Sequence, residues 1–372
     1  MVSKLAWYRL QAAAGICVLA GILVATLYPF NPHPPNHVTW LAASAGLHFG
    51  GHGIVLSTSA FPPPSPAAAP SCSIELRAQA DSSVASGPLV AFDSPGQFAR
   101  FSIMQRRRKI VLERKLRTGL GEEPFTSMEV DAFRASGPLL ITVTENPQAT
   151  AVFINGVLAA KSARLDPFCA DLGGWLALGN SPISSFTWRG TLLGLAIFGR
   201  ELSAAEVLED FRSWETIGRP SPASNRELRA LYLFDERTGG VVHNRAGNAP
   251  DLEIPSRYLV PFKPFLEAPW KEFRPTLDYL FDIAVNIAGF MPFGFLCCSY
   301  FATVRRLGRA QSLTILLGFL LTFTIETLQG FLPTRGSGVT DIITNTTGTI
   351  LGTMIFRWRP VQSFCSRLGI PG

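Results

Sequence analysis

Apolar positions are unevenly spread along the chain. Long apolar runs stand near the N-terminus and in the last hundred residues, while the stretch between them alternates short apolar and polar pieces. Four runs, 12–30, 281–301, 311–331 and 339–356, match the roughly 20 residues a helix needs to cross a bilayer. The expected elements are a first transmembrane helix at 10–30 and a helical region at 277–360, with helices at about 279–302, 310–331 and 339–357. The first run is also short enough for a signal peptide. No small-residue cleavage site precedes the prolines that follow, so an uncleaved span is the expectation.

The middle of the chain reads as strands. CSIELRAQ, PLVAFDS, FARFSIMQ, KIVLERKL, PLLITVTE, TAVFINGVLAA, GWLALGN and TLLGLAIFG are short, several alternate in polarity, and turn residues separate them. That spacing predicts a β-sandwich. Asn155-Gly156 marks a hairpin. One helix is expected at 202–214, with Ser203 as its cap and Glu206 closing the box. FPPPSPAAAPS, at 61–71, reads as a surface loop.

Charge places these pieces relative to a membrane. Lys4 and Arg9 precede the first run, Arg305, Arg306 and Arg309 separate the second and third, and Arg357, Arg359 and Arg367 follow the fourth. With four spans, all three clusters share one side, which the positive-inside rule makes cytoplasmic. Both termini are then cytoplasmic, and residues 31 to 277 lie outside. The net charge of +6 at 16% charged residues suits such a membrane protein. No helix-turn-helix, zinc-finger or basic-zipper spacing is present, so nucleic acid is not an expected partner. Of six cysteines, only Cys72 and Cys169 belong to the outer region. There they form a disulfide or remain two free buried thiols.

Polar residues in the apolar runs fall on helix faces. Asp278, Asp282 and Asn286 recur every four residues, Glu326 and Gln329 are three apart, and Asp341, Asn345 and Thr349 continue at four. All lie toward the outer side. Ionisable groups in spans usually face a bundle interior or cavity. Arg335, on the short outer loop, is placed to neutralise Glu326 or Asp341, or to hold an anionic ligand group. Pro292 frees a backbone carbonyl in its helix, and Gly348 with Gly352 suits close helix contact. Asn345-Thr-Thr is formally a glycosylation sequon, at a depth that argues against its use.

In the outer region, Asp93, Asp171 and Asp235 are candidate metal-loop acids without a coordination string. Turn or cap roles are the plainer reading, and packing or surface roles for His48 and His52. Arg106 to Lys109 reads as a solvated turn or as a contact for anionic polymer or lipid. Glu201, Glu206 and Glu209 sit on or beside a surface helix. They lack the facing geometry of a glycosidase pair.

Two resemblances follow from these residues. GLHFGGHGIVLS, AVFINGVLAA, FTWRGTLLGLAIFGRELSAAEV and LRALYLFDERTGGVVHNRAGNAPDLEIP resemble a laminin-G-like, concanavalin-A-like jelly roll, expected at 38–255. Such domains bind glycans or proteins, sometimes through calcium. The leading helix ending in TLYPF, DIAVNIAGFMPFGFL, and TIETLQGFLPTRGSGVTDIITNTTGTILG resemble the VanZ-like family of membrane proteins. On that resemblance Asn286, Pro292, Phe293, Gly294, Glu326, Gln329, Arg335, Asp341, Asn345, Gly348 and Gly352 carry over. The family often has a further acid between the arginine and the DxxxN aspartate, where this chain has GSGVT.

The resulting expectation is a mixed fold. A four-helix transmembrane bundle carries an extracytoplasmic all-β jelly roll inserted between helices 1 and 2. The expected function is non-enzymatic: recognition of a lipid or lipid-linked glycan at the outer leaflet. Envelope polysaccharide or protein would be the partner of the outer domain. No cofactor is expected beyond calcium in the jelly roll. The alternatives are a membrane enzyme using Glu326 or Asp341 as base with Arg335, and a structural scaffold. Nothing in the sequence sets the oligomeric state.

Overall fold

The computed structural model describes residues 4–62, 71–93, 99–116, 125–133, 137–165, 168–273, 277–305 and 308–367. It divides into two compact units, one of residues His33–Lys263 and one formed by Met1–Pro32 together with Pro264–Gly372.

The first unit is all-β apart from one long helix. Its strands are β1 (Val38–Trp40), β2 (Leu47–Gly50), β3 (Val55–Ser57), β4 (Cys72–Ala80), β5 (Ser86–Asp93), β6 (Ala99–Arg106), β7 (Lys109–Leu116), β8 (Phe125–Asp131), β9 (Leu139–Asn146), β10 (Ala149–Ile154), β11 (Val157–Ser162), β12 (Trp175–Leu178), β13 (Arg189–Phe198), β14 (Leu228–Tyr232), β15 (Val241–Val242) and β16 (Leu252–Glu253). One sheet runs β1-β2-β13-β4-β9-β10-β11, with β14 also on β13; the other runs β15-β16-β3-β12-β5-β6-β7-β8. The inner faces of both sheets meet in one core that includes Phe49, Phe92, Phe101, Phe168, Trp188 and Tyr232. Strand β8, not among the strand-like pieces picked out in the sequence, completes the second sheet against β7. Much of the proline-rich loop at 61–71 lies outside the described residues.

Local chemistry explains the turns and the helix. Asn155 and Gly156 have φ of 52° and 78°, the left-handed pair a two-residue hairpin demands. The β10–β11 ladder closes directly over them. A disulfide joins Cys72, at the start of β4, to Cys169, in a single 3-10 turn ahead of β12. Helix α2 (Ala204–Ile217) starts at a complete capping box: Ser203 Oγ accepts from Glu206 N, and Glu206 Oε2 accepts from Ser203 N. Its Val207 and Trp214 pack on the outer face of the first sheet beside Leu140, Phe153 and Phe198.

The second unit is helical: α1 (Lys4–Leu27), the four-residue α3 (Pro269–Glu272), α4 (Leu277–Ser299), α5 (Ala310–Gly330), α6 (Val339–Arg357) and α7 (Arg359–Arg367). Among the described residues three helical stretches, not the four expected, are long and apolar enough to cross a membrane: Tyr8–Leu27, Tyr279–Val304 and Ala310–Gly330. Helix α6 falls short because one of its faces is polar. Thr344, Asn345, Thr349 and Thr353 lie on that face and are buried in the bundle. The opposite face exposes Ile343, Leu351 and Met354.

Helix α6 nevertheless runs the length of α4, through glycines. A Cβ at Gly348 would lie 2.2 Å from the Ile287 carbonyl oxygen, and one at Gly352 2.2 Å from that of Met291. From the other side, a Cβ at Gly294 would lie 2.2 Å from the Thr349 carbonyl oxygen. The backbones therefore touch, as small residues in membrane helices permit. Pro292 sits inside the continuous α4, and Phe293 packs with Phe290, Ile22 of α1 and Ile325 of α5. At the far end Arg357 Nη1 donates to Gln311 Oε1 at 2.7 Å.

Candidate functional site

The polar residues gather where α6 begins. Gly338, the residue before the helix, donates its N–H to Glu326 Oε2 at 2.9 Å, and Thr340 N donates to Glu272 Oε2 at 3.0 Å. Two carboxylates therefore satisfy amides that a helix start leaves free, where the helix dipole favours negative charge. Asp341 adds a third acid in the first turn. Asn286 of α4 donates through Nδ2 to Asp341 Oδ1 at 2.7 Å.

The chain segment before α4 forms a strap over this helix start. Glu267 N donates to Ser337 O at 3.1 Å, and Val339 N to Glu267 O at 2.9 Å. Glu267 and Gly338 form a parallel β-bridge. The strap ends in α3, whose last residue is Glu272.

Between α4, α6 and the strap is an open cleft of about 240 Å³. Glu272, Asp282, Asn286, Thr340 and Asp341 supply its polar lining, and Tyr279, Ile283 and Val285 the remainder. No cationic side chain is among these lining residues. Chemically, the cleft offers acceptors. It suits hydroxyl or ammonium donors and opposes phosphate.

This arrangement joins part of the set expected from sequence and separates the rest. Asp282, Asn286 and Asp341 line the cleft together. Glu326 is buried beneath the α6 start, with Ser337 Oγ donating to its backbone oxygen at 2.8 Å. Gln329 Nε2 donates to the Thr26 carbonyl at 2.9 Å, and Asn345 Nδ2 to Thr322 Oγ1 at 2.9 Å. Arg335 differs most from expectation. Its guanidinium donates to the Tyr28 carbonyl at the end of α1, and no salt bridge among the described residues joins it to Glu326 or Asp341. The carbonyls at the C-terminal end of a helix carry its negative dipole end and are natural cation partners, and the Tyr28 carbonyl lies nearer than either acid. The side chain of Asp278 lies outside the described residues.

Glu272 was not legible as a site residue. It stands in EAPWKEF, ahead of the apolar run, and nothing in that string ties it to a position some seventy residues on. The one local signal is Pro269, placed to open a helical turn.

The acids of the sandwich are absorbed by local contacts. Asp171 pairs with Arg114, Asp235 with Arg245 at 2.8 Å, and Asp93 is buried on β5. Glu206 serves the capping box and Arg200, Glu201 accepts from Asn146, and Glu209 accepts from Ser221. His48 lies 3.8 Å from Asp81, and His52 packs against the Tyr258 ring. In the Arg106–Lys109 turn, Arg106 is held by Glu113 and Glu129, and Lys109 by Glu129. The turn is therefore half neutralised.

Burial raises several sandwich carboxyls, Asp171 and Asp210 among them, and two most of all. Burial pushes Glu145 up to about 7, against the N–H groups of Phe168 and Cys169 that it accepts. Burial, and then the nearby Asp210, push Glu75 up to about 8. Cys72, Glu145 and Cys169 also lie close enough to suggest a metal set. With both sulfurs in the disulfide, they offer no thiolate.

The two units define a membrane-type helical region joined to an all-β sandwich. The VanZ/LLP1 family model matches residues 232–360, which takes in β15, β16, α3 to α6 and the cleft; α1 lies outside the match. No curated protein matches the chain. Among solved structures, a heptameric SAP-like pentraxin from Limulus polyphemus is similar at 10% identity and TM-score 0.36, over 60% of this chain and 93% of that one. A putative carbohydrate binding protein from Bacteroides ovatus is similar at 13% identity and TM-score 0.38, over 58% and 61%. The sialidase module CBM40 of Ruminococcus gnavus is similar at 16% and 0.33, over 44% and 95%. These likenesses are weak in both measures and bear on neither ligand nor activity.

Proposed function

We propose that the protein is a VanZ-like membrane protein that recognises a lipid headgroup or lipid-linked glycan at the outer leaflet, without catalysis. The observation that carries this reading is the cleft lined by Glu272, Asp282, Asp341 and Asn286 with no cationic residue. Carboxylates and an amide in one cleft are good acceptors for sugar hydroxyls or an ammonium group, and poor hosts for a bare phosphate. The exposed Val285, Leu280 and Phe281 of α4 give the lipid chains an apolar flank. Against the enzymatic alternative stands the engagement of Glu326 by Gly338 and of Arg335 by Tyr28, which leaves those groups without a common target.

Sidedness follows from charge. The end of the bundle with Arg9, Arg305, Arg309 and Arg357 faces the cytoplasm, so the cleft faces outward. The sandwich is then extracytoplasmic, a laminin-G-like module inserted between α1 and α4. Its role is to bind envelope polysaccharide or protein. The disulfide between Cys72 and Cys169 supports that compartment.

Native mass spectrometry of the full chain released from membrane-derived nanodiscs tests the headgroup reading. Wild type should retain a glycosylated or amine-bearing lipid that Asp341→Asn loses at equal yield. Equal retention by both, or retention of acidic phospholipid only, would overturn it.

A further inference from the structure

Gly338 has φ of −144°, extended backbone that any residue adopts. Conformation therefore does not explain the glycine. Space does. A Cβ built on Gly338 would lie 1.6 Å from Glu272 Oε1, 2.5 Å from its Cδ and 2.8 Å from Oε2. The carboxylate of Glu272 occupies the volume in which any side chain at 338 would begin. It is fixed there by Thr340 N and by the strap bonds of Glu267 to Ser337 and Val339.

We infer that Glu272 and Gly338 form one functional unit. The strap delivers from position 272 a carboxylate into the space where a side chain at 338 would begin, and that carboxylate helps set the negative field of the cleft. Glu272 acts as a positioning residue: it caps α6, fixes where Asp341 sits, and adds its own charge. The pairing rests on packing and charge, so it stands whichever headgroup enters the cleft.

The unit predicts an asymmetric pattern of substitutions. Gly338→Asp alone must displace the Glu272 carboxylate from Thr340 N. Glu272→Ala alone empties the volume and removes a charge. Glu272→Ala with Gly338→Asp returns a carboxylate to the helix start without the clash.

Charge-pair accessibility reads the field directly. The probe site is Tyr279→Cys in the full chain in nanodiscs, with Cys17, Cys297, Cys298 and Cys365 changed to Ser and the disulfide kept. Rates are measured with a cationic and an anionic methanethiosulfonate of similar size, each normalised to a free thiol. The reagents differ by two charges, so a change of about one kT in local potential moves the rate ratio roughly sevenfold.

The parent should favour the cationic reagent. Glu272→Ala and the size-matched Glu272→Gln should each lower the ratio severalfold. The double variant should return it to within about twofold of the parent. A ratio unmoved by Glu272→Gln would overturn the inference, since a purely steric or capping role survives that change. So would a folded double variant that stays at the Glu272→Ala value. If the double variant fails to fold, Glu272→Gln decides alone.

Discussion

Trp214 Nε1 donates to Glu75 Oε2 at 2.8 Å, both residues are fully buried, and this bond fastens α2 to the outer face of the first sheet. Glu75 is also raised to about 8, by burial first and then by Asp210. Its ordinary value in an unfolded chain is about 4.3. The folded domain therefore holds a proton that the unfolded chain releases between those values. The stability contributed by this group is complete below the unfolded value and is lost as pH rises toward 8. Thermal melts of wild type should fall between pH 6 and pH 9, and Glu75→Gln should flatten that fall. A wild-type melt that rises across the same window would contradict the assignment.

The disulfide between Cys72 and Cys169 closes a loop with a sequence separation of 97. Its removal should cost on the order of 2–5 kcal/mol. Cys72→Ser with Cys169→Ser should lower the melting temperature of the sandwich by several degrees. Reductant should lower wild type but leave the double variant unmoved. Equal sensitivity to reductant in both would show that the bond is not the cause.

The α4–α6 contact is backbone against backbone at Gly348 and Gly352. Even a methyl group there must push the helices apart, at a cost of roughly 1–3 kcal/mol. Gly348→Ala and Gly352→Ala should each reduce the melting temperature in detergent, and Gly348→Leu should abolish monodisperse protein. Gly289, whose Cβ meets nothing within 4 Å, is the control. Gly289→Ala should leave the melting temperature unchanged or slightly raised.

Arg335 binds the end of α1 and not the acids of the cleft. Arg335→Ala should loosen α1, at a cost of about 1 kcal/mol. It should leave the charge-pair rate ratio at position 279 within twofold of the parent. A large change in that ratio would place the guanidinium in the cleft after all.

Local chemistry was the most legible part of this sequence. Ser203 with Glu206 and Asn155 with Gly156 encode their cap and turn within four residues, and alternation marked most strands. The strand β8 was missed because TSMEVD lacks a strong apolar stripe and earns its place by pairing with β7. The fourth run shows the limit of apolar content as a guide. Helix α6 keeps its threonines and Asn345 toward its neighbours, so its character depends on packing that a hydropathy count does not register. In the site, four-residue spacing grouped Asp282 with Asn286 and Asp341 with Asn345, but which faces meet follows from packing: Asn286 bonds Asp341, while Asn345 turns to Thr322. It failed for Arg335 and was silent on Glu272, since loop and strap geometry follow from tertiary contacts.

The central claim is that the cleft between α4, α6 and the strap takes a donor-rich headgroup. Photo-crosslinking in nanodiscs tests it most directly, with matched bifunctional probes of a glycosylated diacylglycerol and a phosphatidate. The account predicts adducts from the glycosylated probe on α4 between Tyr279 and Asn286 and on the start of α6, lost in Asp282→Asn with Asp341→Asn. Equal labelling of the cleft by the phosphatidate probe, or glycosyl adducts confined to other faces of the bundle, would contradict it.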